Sequence, residues 1–171
     1  VELRGVVSHK HLQESLKRLL SRHEVLRSSF REVSGLPVKQ VSETLTMELP
    51  LLDLRGVSES ERERIANEET LLPFNLEQAP LLRARLLRFD EHSHLLLLTL
   101  HHAVCDGWSL GVLLKELAAY YEHGADAELP DLPVQYADYA AWQREWLQGP
   151  VLDQQLSYWR ERLQDAPAAL Q

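Results

Sequence analysis

Leu95-Leu96-Leu97-Leu98-Thr99-Leu100-His101-His102-Ala103-Val104-Cys105-Asp106-Gly107-Trp108-Ser109 takes the chain from an apolar run, through a short polar loop, to the start of a helix. An uncharged run of this length reads as a strand covered on both faces. Side chains alternate along a strand, so Leu96, Leu98, Leu100 and His102 share one face while Leu95, Leu97, Thr99 and His101 share the other. A strand regular to its end therefore points the two histidines in opposite directions, and they cannot line one cavity. Beyond the loop at 103–107, Ser109 is placed to cap a helix. Leu110, Leu113, Leu114, Leu117 and Tyr121 share its face and Gly124 ends it.

A second apolar run at 81–89 precedes the first, separated from it by Asp90-Glu91-His92-Ser93-His94, and the two read as a hairpin. Nearer the start, Val1, Leu3 and Gly5-Val6-Val7 read as a strand. Ser8 caps a helix with Leu12, Leu16, Leu19 and Leu20 on one face. Residues 25–33 read as a strand, Ser34-Gly35-Leu36-Pro37 as a turn, and 38–41 and 45–49 as short extended segments. Ser58 with Glu61 opens a highly charged, solvated helix that Pro73 stops. Residues 125–134 form an acidic, proline-marked linker. Tyr136, Tyr139, Trp142 and Trp146 stripe one of two closing helices, and Leu152, Leu156, Trp159 and Leu163 the other; such stripes are expected to be core. The expected helices are therefore 9–22, 59–71, 109–122, 136–147 and 151–163.

Composition narrows the possible partners. A hydrophobic share of 44% and a charged share of 26% over 171 residues describe a globular chain that folds without staples. The net charge of −8 comes with no cluster of five or six basic residues, which argues against nucleic acid. No apolar run approaches the roughly 20 residues of a membrane helix, and the opening residues do not read as a secretion leader. A single cysteine, Cys105, excludes an internal disulfide, and a reducing, cytoplasmic setting is expected.

A histidine at the end of a buried strand suits proton transfer, because neutral imidazole accepts a proton near neutral pH. Asp106 lies four residues beyond His102, before Gly107 and a helix whose first N–H groups could hold a carboxylate or a developing oxyanion. Other readings of these residues remain open. They include a core histidine beside a turn-forming Asp-Gly, and a metal set drawn from His92, His94, His101, His102, Cys105 and Asp106. A third is Cys105 as a nucleophile, against its reading as an inert buried thiol.

His101-His102-x-x-x-Asp106-Gly107 resembles the HHxxxDG motif of nonribosomal peptide synthetase condensation domains, members of the acyltransferase superfamily that includes chloramphenicol acetyltransferase. Arg22-His23-Glu24-Val25-Leu26-Arg27-Ser28-Ser29-Phe30 is similar to a second family signature, RHExLRTxF, with Ser28 in place of Thr. Leu3-Arg4-Gly5, Pro73-Phe74-Asn75-Leu76, Pro80-Leu81-Leu82-Arg83, Tyr136-Ala137-Asp138-Tyr139-Ala140-x-Trp142-Gln143, Tyr158-Trp159 and Leu163-x-x-Ala166-Pro167 follow the family's text as well.

The resemblance implies an α/β fold of the chloramphenicol acetyltransferase type, a mixed or antiparallel sheet with packed helices. It implies that residues 1–171 are the N-terminal subdomain of a condensation domain, truncated at both ends and inactive alone. His102 would act on the acceptor amine, His101 help hold the loop, and Gly107 allow close backbone approach to the thioester. Asp106 would be structural, paired with Arg27, or failing that with Arg22. Trp108-Ser109 resembles the subtype joining an L-configured donor to an L-amino acid. No metal or bound cofactor is implied. Substrates would ride on the 4′-phosphopantetheine of peptidyl carrier proteins, with an adenylation domain adjacent and the C-terminal half of the domain as a further partner. A freestanding acyltransferase and a non-catalytic carrier-docking module are the competing classes.

Overall fold

Residues 1–167 are described by the computed structural model; the expected domain span runs on to 171, and its last four residues lie outside the described ones. In chain order the strands are β1 (Glu2–Arg4), β2 (Ser28–Val33), β3 (Leu36–Val41), β4 (Leu51–Asp53), β5 (Leu82–Arg88) and β6 (Ser93–Leu100). The helices are α1 (His9–Arg22), α2 (Glu59–Leu71), α3 (Gly107–His123), α4 (Tyr136–Trp146) and α5 (Gly149–Leu163). The chain divides into two compact units, one of Val1–Asp131 and a second beginning at Leu132, inside the segment expected to be a linker.

In the first unit the expected hairpin forms the centre of a four-stranded mixed sheet ordered β1-β6-β5-β4. Antiparallel β5 and β6 pair from Leu82 opposite Leu100 to Arg88 opposite His94, while β4 joins β5 in parallel. One face is apolar: Leu82, Ala84, Leu86 and Leu96 pack with Leu12, Leu16, Leu19 and Leu20 of α1 and Leu113 and Leu117 of α3. The other face differs from the expectation for β6. Leu95, Leu97 and Thr99 are half-buried, because the paired positions across from Leu97 and Thr99 are Arg85 and Arg83.

Local chemistry sets most element ends. Ser8 accepts the His11 N–H at 3.3 Å and Ser58 the Glu61 N–H at 3.4 Å, as N-caps do. The strand expected over 25–33 begins at Ser28, because Glu24–Arg27 winds into one short 3₁₀ turn. Ser34 and Gly35 both take left-handed backbone, φ 54° and 78°, which closes the β2–β3 hairpin in two residues. Residues 45–49 form no ladder, yet Met47 and Leu49 are buried in the core. The charged helix α2 turns a single side chain fully inward, Glu69.

The second unit corrects the reading of the aromatic stripes as core. Neither α4 nor α5 contains a buried residue. Tyr136, Tyr139, Trp142 and Trp146 remain 45–59% exposed and lean on one another along the helix, with Trp142 and Trp146 stacked at 5.5 Å and 9°. A unit of roughly 40 residues has too little chain to enclose bulky rings.

Candidate active site

The strand stops at Leu100 and the chain turns at once, so alternation does not reach the histidines. His101 anchors the turn by three hydrogen bonds. Its N–H donates to the Leu81 carbonyl at 2.9 Å, its carbonyl accepts from the Val104 N–H at 3.0 Å, and its ring Nδ1 accepts from the Ala103 N–H at 3.1 Å. Val104 is buried beneath the turn, 5% exposed, which leaves His102 at the solvent edge. Its ring makes no hydrogen bond to a described residue. The two adjacent histidines therefore differ in setting: His101 is held by three hydrogen bonds, and His102 is exposed.

The helix after the loop starts two residues earlier than expected, at Gly107, and its N-cap is Asp106 rather than Ser109. The Asp106 Oδ1 accepts the Ser109 N–H at 2.7 Å and its carbonyl accepts the Leu110 N–H at 3.0 Å. Hydrogen bonding from Ser109 holds the Asp106 carboxyl below the usual carboxylate range, and nearby His102 adds to the effect. This cap corrects two expectations. The helix N–H groups face a carboxylate already in place, so a developing oxyanion would meet negative charge there. The expected ion pair is also absent among the described residues. Arg27 turns away from the loop and donates to the carbonyls of Leu20 at 2.8 Å, Ser42, and Glu43 at 3.4 Å. Arg22, the second choice, pairs with Glu116 at 3.2 Å.

Glu116 is a residue that motif reading passes over, although the spacing carries a signal for it: it falls between Leu113 and Leu117 on the buried face of α3. Its carboxylate also meets His23 Nε2 at 2.6 Å, so α1 is tied to the helix that carries Asp106 and Gly107. Leu110, expected on that buried face, is 38% exposed.

Cys105 is half-buried, and burial first, the Asp106 charge second, pushes its thiol above the ordinary range. Sγ donates to the Asp106 carbonyl at 3.4 Å. This is the environment of an inert thiol, not of a nucleophile. The metal reading fails on distance. His92 and His94 lie at the far end of β6 from His101 and His102, about 20 Å away along an extended strand. Among the described residues, no three His, Cys, Asp or Glu side chains gather as a metal site. No helix among them is long and apolar enough to cross a membrane.

At Gly107 an added Cβ would meet nothing within 4 Å. Among the described residues nothing requires glycine at that position.

The geometry joins a strand-end His-His pair, an Asp-Gly helix start and a mixed sheet backed by two helices, and likeness to known proteins gives that arrangement its family. The condensation domain model matches residues 1–171, and the chain belongs to that family. It is 42% identical over 177 residues to a linear gramicidin synthase from Brevibacillus parabrevis, covering 99% of this chain and 2% of that protein. It is 43% identical over 171 residues to phosphinothricin tripeptide synthetase PhsC of Streptomyces viridochromogenes, covering 96% of this chain and 16% of that protein. Among solved structures, SgcC5 of Streptomyces globisporus superposes with a TM-score of 0.84 at 33% identity, over 98% of this chain and 39% of that one. The chain thus spans well under half the length of each of these relatives. The mixed α/β fold expected from the resemblance is the fold found.

Proposed function

We propose that this chain is the histidine-bearing part of a domain that forms amide bonds between two carrier-bound substrates in nonribosomal peptide synthesis. The acceptor α-amine attacks the carbonyl carbon of the donor thioester. The C–N bond forms, the C–S bond breaks, and the phosphopantetheine thiolate leaves and takes up the proton that the amine gives up. The chemistry asks little beyond placement, because a neutral amine is already a good nucleophile and near-attack geometry supplies much of the acceleration.

The observation that carries this reading is the contrast within the motif. His101 is locked by three hydrogen bonds, while His102, on the same turn, is exposed and has none to a described residue. His102 orients the amine, takes its proton as the C–N bond forms and passes it to the leaving thiolate. Asp106 shapes the loop as the helix cap, and the open side of Gly107 admits the thioester. Peptidyl carrier proteins deliver both substrates on 4′-phosphopantetheine, an adenylation domain loads them, and the remaining part of the condensation domain closes the site in the cytoplasm. Residues 1–171 are the N-terminal subdomain. Alone they leave His102 open to water and are not expected to condense substrates.

The test is His102→Ala in a full synthetase carrying this segment, supplied with two loaded carriers and scored by mass spectrometry. Loss of amide product with both carriers still loaded supports the assignment. Undiminished product rejects it.

A further inference from the structure

Phe74, in the segment Pro73-Phe74-Asn75-Leu76, and Arg83 have no part in the chemistry above, yet Phe74 meets the loop that does and Arg83 meets Phe74. The Phe74 ring stands perpendicular to the His101 ring, with centroids 6.0 Å apart and planes at 84°. The Arg83 guanidinium lies over the same Phe74 ring, 3.9 Å from its centroid. A cation on an aromatic face is an electrostatic attachment that depends on the ring's quadrupole.

Arg83 is itself fixed on several sides. It donates to the carbonyls of Leu72 at 2.7 Å, Pro73 at 3.2 Å and Glu69 at 3.4 Å, which are acceptors at the end of α2. The last turn of α2 contains no basic residue, so this cation from β5 meets the negative end of the helix. The buried carboxylate of Glu69 stands 3.6 Å from Arg83 and 2.8 Å from Arg85. Helix and sheet together hold the guanidinium plane, the guanidinium holds Phe74, and Phe74 bounds the His101 ring.

His101 has a tautomer that its contacts dictate. A backbone N–H can only donate, so the Ala103 bond requires a lone pair on Nδ1 and places the ring proton on Nε2. Rotation of the ring, or a proton on Nδ1, breaks the bond that shapes the turn carrying His102.

We propose that Phe74, clamped by Arg83, is a positioning residue that fixes the rotamer and Nε2–H tautomer of His101 and through them the turn that presents His102. Its link to catalysis rests on the proposed role of His102; its link to His101 does not.

Two readouts keep these apart. In the chain labelled with ¹⁵N-histidine, the wild type and Phe74→Tyr, which keeps the ring, should show His101 as a single Nε2–H tautomer. Phe74→Leu should show the averaged pattern of a freely exchanging imidazole, with the Ala103 amide exchanging roughly tenfold faster for loss of one hydrogen bond. Phe74→Met, which keeps volume without a ring, serves if the leucine variant fails to fold. In the parent synthetase Phe74→Leu or Phe74→Met should lower kcat at unchanged KM for the acceptor-loaded carrier, with Phe74→Tyr restoring it. A fixed tautomer in a folded ringless variant overturns the proposal whatever the activity. A released tautomer with unchanged kcat overturns its catalytic part.

Discussion

Replacing Glu116 with alanine should destabilise the first unit strongly while leaving the loop's own sequence untouched. The carboxylate is 9% exposed and receives Arg22 at 3.2 Å and His23 at 2.6 Å, themselves 14% and 20% exposed. Hydrogen bonds to charged groups contribute about 1.5–3 kcal/mol each, and partial solvent access at the rim argues for the lower end. Two such bonds set the expected loss at about 3 kcal/mol, because alanine leaves both partners without their carboxylate. For a unit of this size that corresponds to a fall in Tm of roughly 9–15 °C. Glu116→Gln keeps an acceptor and should lose about half as much. The assay is urea and thermal unfolding of Glu116→Ala, Arg22→Ala and the double variant. A coupling of about 1–2 kcal/mol is expected, and additivity within about 0.5 kcal/mol would refute the pairing as a source of stability.

The cap and the loop give three further expectations. The Asp106 carboxyl titrates lower in the folded chain than the usual value of about 3.9, so its contribution is complete above that pH and is lost as pH falls through the folded value. The stability gap between wild type and Asp106→Asn should therefore narrow on acidification from pH 6 to pH 3, and a constant gap would discard the cap's charge as its cause. Cys105, whose thiol is raised, should react with iodoacetamide at pH 7 more slowly than free cysteine, and Asp106→Asn should speed it; a faster reaction in the wild type would contradict the environment described. Gly107→Ala should melt no lower than wild type, since its Cβ meets nothing, yet cut amide formation in the parent synthetase roughly a hundredfold through displacement of the thioester. Full activity would mean that no substrate approaches at that point.

The elements were legible where a local rule governs them. Ser8, Ser58 and the leucine spacing of α1 place two helices to the residue, and the polar stretch at 90–94 gives the hairpin, although Ser93 and His94 belong to the strand β6 rather than to the loop. The loop was legible as a motif but not as geometry. Whether Asp106 caps a helix or pairs with Arg27 depends on where a guanidinium 79 positions earlier is aimed, and three local carbonyls decide that. Glu116 illustrates the same limit, since its partners lie 94 and 93 residues away. Regular 3.6-residue spacing finds a stripe on α4 but says nothing about whether any surface covers it, and the rings are exposed. Phe74 was legible only as family text, because its role depends on three elements meeting.

The stacked indoles of α4 also make the chain optically uneven. Of the four tryptophans, Trp142, Trp146 and Trp159 belong to the second unit, and the first contains only Trp108, 84% exposed. Indole emission therefore watches the smaller unit almost alone, and the face-to-face pair Trp142–Trp146 couples its transition dipoles into a circular-dichroism band lost when α4 frays. Backbone ellipticity weighs both units. A melt followed by emission and one followed by ellipticity are thus recordings of different parts of one molecule, and a gap between their midpoints measures the independence of the two units.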